Sequence, residues 1–131
     1  MNGFPILCLG AAATLGLMAG MMPFGASKAD ALQVKSEMVD AAVMEQGEAL
    51  YRKNCRFCHG TKGTSGKRLA GNEMVADAGY VAHVILVGPG YMTAFAEHLS
   101  DQEIAMITTY VRNSWGNSYG PMDSSAVAAL R

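Results

Sequence analysis

Cysteine, net charge and strand signals are all scarce in this chain of 131 residues, and each scarcity excludes something. Three cysteines cannot build the disulfide framework of a small secreted domain, and Cys8 lies in an N-terminal apolar stretch, far along the chain from Cys55 and Cys58. A formal charge of −1 gives no general pull toward nucleic acid or anionic membranes. Runs of strand-like alternation are hard to find, and there is no repeat or low-complexity tract. A chain this short makes one domain with a modest core.

Two of the three cysteines fall in Cys55-Arg56-Phe57-Cys58-His59, a C-x-x-C-H string. This spacing is the attachment sequence for covalently bound c-type haem. Two thiols two residues apart reach the two vinyl groups on one porphyrin edge, and the adjoining imidazole turns under the ring to become the proximal iron ligand. A redox dithiol is the first alternative, but it needs a βαβ context. Structural zinc is the second. It needs four ligands, and beyond Cys55, Cys58 and His59 only His83 and His98 remain, far apart and without paired spacing. A haem bonded to Cys55 and Cys58 would also supply interior that so short a chain lacks.

From Phe4 to Phe24 no residue is charged, and Gly25-Ala26-Ser27-Lys28-Ala29-Asp30-Ala31 follows. This reads as an export signal, cleaved after Ala29 or Ala31. Met1-Asn2-Gly3 has no Lys or Arg, and the apolar run matches the roughly 20 residues that cross a bilayer, so an uncleaved anchor is the alternative. Both place the rest of the chain outside the cytoplasm, in the periplasm. The organisation is therefore a leader over 1–31, a connecting segment over 32–43 and one domain over 44–131.

Within that domain the residues from Met44 to Asn54 read as a helix that delivers Cys55, with Glu45 and Glu48 in its first turns. Residues 60–72, rich in Gly, Ser and Thr, read as a loop. Asp77 caps a segment from Ala78 to Val87 with Tyr80, Val81, Val84, Ile85 and Val87 on a broad apolar face, ended by Gly88-Pro89-Gly90. Ser100-Asp101-Gln102-Glu103 is a capping box, and Ile104, Ile107, Tyr110 and Val111 recur at helical spacing to an end near Trp115-Gly116-Asn117. A short helix from Ser124 or Ser125 to Leu130 completes the pattern.

Residues 44–117 resemble the class I, mitochondrial-type cytochromes c. That family's first helix reads G-x-x-x-aromatic-x-x-x-C-x-x-C-H, and Gly47, Tyr51, Cys55, Cys58 and His59 fall in that register. A helical glycine costs about 1 kcal/mol against alanine, which makes sense where another backbone comes close. The resemblance makes that partner the last helix, at Ile107 and Tyr110. It implies an all-α fold of three to five helices wrapped around one covalent haem.

The resemblance also implies a distal iron ligand, since Met92-Thr93-Ala94-Phe95 before Leu99-Ser100-Asp101-Gln102-Glu103-Ile104 fits the family's M-P-x-F and L-S-D-x-E-I. Met92 is that ligand, and a thioether opposite histidine favours ferrous iron. His83 and His98 are competing positions for which solvent-facing or packed roles fit better. Two departures stand out. Lys67 replaces the proline whose carbonyl accepts from the proximal imidazole, and Thr93 replaces the proline after the ligand methionine. The run Leu99 to Asn117 is similar to cytochrome subunits of periplasmic alcohol, aldehyde and sugar dehydrogenases.

The expected function is single-electron transfer between protein redox partners, a dehydrogenase, quinol-linked complex or terminal oxidase, with no catalysis and no nucleic acid. Membrane association would follow only from retention of residues 1–31. Arg52, Lys53, Arg56, Lys62, Lys67 and Arg68, with no acid between Glu48 and Glu73, suggest a basic face for docking. The alternatives are a membrane-anchored or tightly bound subunit of a dehydrogenase or oxidase and, less in keeping with Met92, a haem sensor or enzyme with an open sixth position.

Overall fold

The computed structural model describes residues 39–131, so the expected leader or anchor, Cys8 and residues 32–38 lie outside the described residues. Five α-helices follow one another: α1 (Ala41–Asn54), α2 (Arg56–His59), α3 (Ala78–Val87), α4 (Asp101–Arg112) and α5 (Ser124–Ala128). One 3-10 turn (Glu73–Ala76) precedes α3, and the described residues contain no strand. The expected all-α architecture is present. No helix among the described residues is long and apolar enough to cross a membrane.

Helix α1 starts at Ala41, three residues before the expected Met44, because the Asp40 carboxylate accepts the Ala42 amide at 2.8 Å and caps it there. Glu45 and Glu48 consequently sit beyond the first turn, and the favourable dipole contact comes from Arg52 and Lys53 in the last. Helix α4 begins as expected. The Ser100 and Glu103 side chains cap each other's backbone amides, with Glu103 Oε2 2.8 Å from the Ser100 amide. Those hydrogen bonds hold the Glu103 carboxyl below its usual range.

Helices α1 and α4 cross where Gly47 meets Met106 and Tyr110. A Cβ at Gly47 would stand 2.4 Å from the Met106 carbonyl oxygen and 2.8 Å from the Tyr110 Cβ, so the close approach expected of this glycine is real. One turn on, Tyr51 is 1% exposed and its ring lies 5.4 Å from Tyr110 and 5.1 Å from Trp115. This aromatic trio joins the end of α1 to the end of α4, and Val81, Ile85, Leu86, Ile104 and Val127 extend the core from α3 to α5.

Two expectations need correction. The last long helix stops at Arg112 and does not reach Trp115–Asn117, because Trp115 takes a left-handed φ of 56° and turns the chain back toward residue 63. On α3 the buried stripe is Val81, Ala82, Ile85 and Leu86, while Tyr80 and Val87 face outward. The tail is fastened by Arg112, only 6% exposed, whose guanidinium donates to five carbonyls: Val75 (3.2 Å), Ala76 (2.9 Å), Tyr119 (2.6 Å), Gly120 (2.8 Å) and Pro121 (3.0 Å). Burial draws its pKa below the ordinary guanidinium value.

Candidate functional site

Cys55 ends α1, and its carbonyl accepts from the Cys58 amide (3.2 Å) and the His59 amide (3.0 Å). That single turn, Cys55 followed by the short helix α2, carries both thiols and the imidazole. Cys55 is half-buried against the core and Cys58 is exposed; among the described residues both are free of disulfides. Burial, and then the neighbouring Cys58, push the Cys55 thiol up to about 12. A disulfide-exchange cysteine has its pKa lowered, the reverse of this shift, and the described residues contain no strand for the βαβ context that a redox dithiol needs. Among the described residues no three His, Cys, Asp or Glu side chains gather, which leaves the zinc alternative without a ligand set.

The His59 Nδ1 lies 3.0 Å from the Lys67 carbonyl oxygen. A carbonyl only accepts, so Nδ1 carries the proton and Nε2 keeps its lone pair for a metal. Lys67 thus supplies the carbonyl that the departure from proline put in question. The loop that carries it is folded on itself: the Leu69 and Ala70 amides both donate to the Gly63 carbonyl (2.8 and 3.0 Å) and the Ser65 amide to the His59 carbonyl (3.1 Å). The buried Tyr51 hydroxyl donates to the Gly60 carbonyl at 2.7 Å, next to His59. Burial, then Cys55 and Tyr110, push that phenol up to about 12.

Met92 lies on a separate loop and, like Cys55, borders the core half-buried. Two features hold this loop without the missing proline. The Phe95 amide donates to the Ile85 carbonyl (3.0 Å) and the Ala96 amide to the Leu86 carbonyl (3.3 Å), both left open by the end of α3. Gly88, at φ 57°, lets the loop lie flat on the helix end; a Cβ there would meet the Met92 carbonyl oxygen at 2.6 Å and the Ala94 nitrogen at 2.3 Å. His83 and His98 are exposed, as expected.

The residues fit a covalent haem c. Two free thiols, an imidazole with its far nitrogen available and a core margin left half-covered at Leu69, Met92, Phe95 and Leu99 are the donor set and the apolar contact that such a group requires. Sequence reasoning missed Arg112, which fastens the tail, Asn117, whose side chain bonds the Leu69 carbonyl and the Gly71 amide, and the bracing role of Gly88. Only Gly88 had a signal, read merely as the end of α3.

An all-α chain with this thiol, thiol and imidazole turn has the make-up of a c-type cytochrome domain, and residues 42–111 match the family described as cytochrome c oxidase, cbb3-type, subunit III. The chain belongs to that family, and covalent haem c is its cofactor. Among curated proteins it is 35% identical over 103 residues to the cytochrome c subunit of a quinone alcohol dehydrogenase from Gluconobacter oxydans (strain 621H), covering 65% of this chain and 22% of that protein. It is 29% identical over 106 residues to the cytochrome c subunit of a gluconate 2-dehydrogenase from Pantoea cypripedii, covering 66% of this chain and 24% of that protein. The chain spans about a quarter of the length of these relatives. Both carry the dehydrogenase likeness expected from Leu99 to Asn117.

Proposed function

We propose that the chain is an exported, periplasmic carrier of single electrons holding one haem, with Cys55 and Cys58 as the thioether residues, His59 as the proximal ligand and Met92 as the distal ligand. The observation that carries this reading is the His59 Nδ1 engaged by the Lys67 carbonyl, one turn from both thiols. That contact fixes the tautomer, aims Nε2 away from the loop and raises the basicity of the ring. When bound, the haem iron supplies a one-electron ferric/ferrous couple. The Met92 thioether would hold the iron together with His59, which would leave small substrates no open position and make the protein a carrier of electrons without catalysis.

Arg52, Lys53, Arg56, Lys62, Lys67 and Arg68 are all exposed on or beside the segment that bears the thiols. They favour brief docking by acidic protein partners, dehydrogenases or oxidases among them. The names of the two relatives favour a second reading, in which the domain stays bound to one dehydrogenase as its electron-accepting subunit. Mass measurement of the denatured protein, made with an intact haem-maturation apparatus and purified under mild conditions from its host, tests both. One haem retained per chain is expected, lost from the Cys55→Ala, Cys58→Ala double variant. A polypeptide without attached haem would refute the assignment, and a large subunit that travels with it would favour the bound form.

A further inference from the structure

Lys67 has no pyrrolidine ring to fix the carbonyl that holds His59, and its amide makes no backbone hydrogen bond among the described residues. The carbonyl is nevertheless placed 3.0 Å from Nδ1. The residues that follow it in the chain are held from beyond the end of α4. Asn117, only 6% exposed, accepts the Gly71 amide on Oδ1 (3.0 Å) and donates from Nδ2 to the Leu69 carbonyl (3.1 Å) and to the Val111 carbonyl (2.9 Å). One side chain thus fastens the loop just past Lys67 to the end of α4.

The other end of the same loop is gripped by the same turn. The Trp115 ring covers Gly63 so closely that a Cβ there would meet its ring carbons at 2.7 Å, and Gly63 accepts both the Leu69 and Ala70 amides. Trp115 reaches this position through its φ of 56°, and the Asn117 amide closes the turn on the Ser114 carbonyl at 3.0 Å. Residues 63 and 69–71, which flank Lys67, are therefore both fixed to Ser114–Asn117.

We infer that Asn117 is a positioning residue for the proximal imidazole: its amide clamp on Leu69 and Gly71 holds the Lys67 carbonyl against His59 Nδ1, in place of a ring-locked residue at 67. This rests on His59 being the proximal ligand. The Nδ1–H···O=C bond gives the imidazole partial imidazolate character and favours ferric iron, so a slack carbonyl weakens it and raises the reduction potential.

The test uses the holoprotein, with the potential measured by spectroelectrochemistry and exchange of the His59 Nδ1 proton followed by NMR in the ferrous state. Asn117→Ala is expected to shift the potential upward and to speed proton exchange at least tenfold. Asn117→Asp keeps the acceptor for Gly71 but loses both donors, and is expected to fall between the two; it serves if the alanine variant does not fold. Adding Lys67→Pro to either variant should return both readouts toward wild type, which a merely stabilising residue would not allow. A lowered melting temperature with unchanged potential and exchange in both variants would overturn the inference alone. A wild-type spectrum without a ring-proton signal from a ligated His59 would instead overturn the ligand assignment beneath it, and with it this inference.

Discussion

The backbones of Gly47 and Met106 approach until only a hydrogen fits between them, with 2.4 Å from an ideal Cβ to the Met106 carbonyl oxygen. Gly47→Ala would gain about 1 kcal/mol of helix propensity. It would also force α1 off a backbone atom that no rotamer change can move, at a cost of about 3 kcal/mol, the upper end for an overpacked contact. The expected outcome is a net loss of about 2 kcal/mol in urea unfolding of the ferric holoprotein; equal or greater stability would mean that the helices do not cross here.

Met92→Ala should abolish the methionine-to-ferric-iron charge-transfer band and open the iron to carbon monoxide. Persistence of the band would assign the ligand elsewhere, and a wild-type protein that is high-spin and binds carbon monoxide readily would revive the sensor alternative.

Arg112→Ala removes five hydrogen bonds to carbonyls of the 3-10 turn and the tail and leaves those at Val75, Ala76, Tyr119, Gly120 and Pro121 without this donor. A loss of about 3–5 kcal/mol is expected. Arg112→Lys carries only three donors and should recover less than half of it, as chemical denaturation would report.

The Tyr51 phenol, pushed up to about 12 from an ordinary 10, stays protonated in the folded protein after it ionises in the unfolded chain. Its contribution is complete below pH 10 and is lost as pH rises through about 12. Tyr51→Phe gives up the bond to the Gly60 carbonyl, about 1 kcal/mol at neutral pH. The stability gap between wild type and Tyr51→Phe should therefore close across that alkaline window, and a pH-independent gap would contradict the burial argument.

If the six exposed cations from Arg52 to Arg68 act together, electron exchange with anionic hexacyanoferrate should slow as salt is added, while exchange with a cationic cobalt complex should quicken. Lys62→Glu should weaken both trends. Arg52 contributes least, since it already pairs with Glu48 at 3.5 Å.

What the sequence made legible was local. The C-x-x-C-H string, the Asp77 cap with its 2.9 Å bond to the Tyr80 amide and the Ser100–Glu103 box each act within a few residues, where spacing dictates chemistry. Gly47 was legible because a costly residue in a helix interior asks for a reason. Arg112 and Asn117 were opaque. Their partners lie up to 48 residues away, and a lone Arg or Asn after an amphipathic run reads as solvated surface until the chain is folded. The end of α4 was misplaced for the same reason: the reversal at Trp115 answers to Gly63, a contact with no trace in the intervening residues.

The Met92 loop is tied to the end of α3 by main-chain bonds to the Ile85 and Leu86 carbonyls and by the missing Cβ of Gly88, none of which involves the side chain at 92. Position 92 can in consequence be rewritten without redrawing the path of its loop. A histidine, a lysine or a shortened residue there would inherit the same anchorage, which, on the ligation proposed above, makes this domain a ready host for comparing sixth-position donors on one fixed frame.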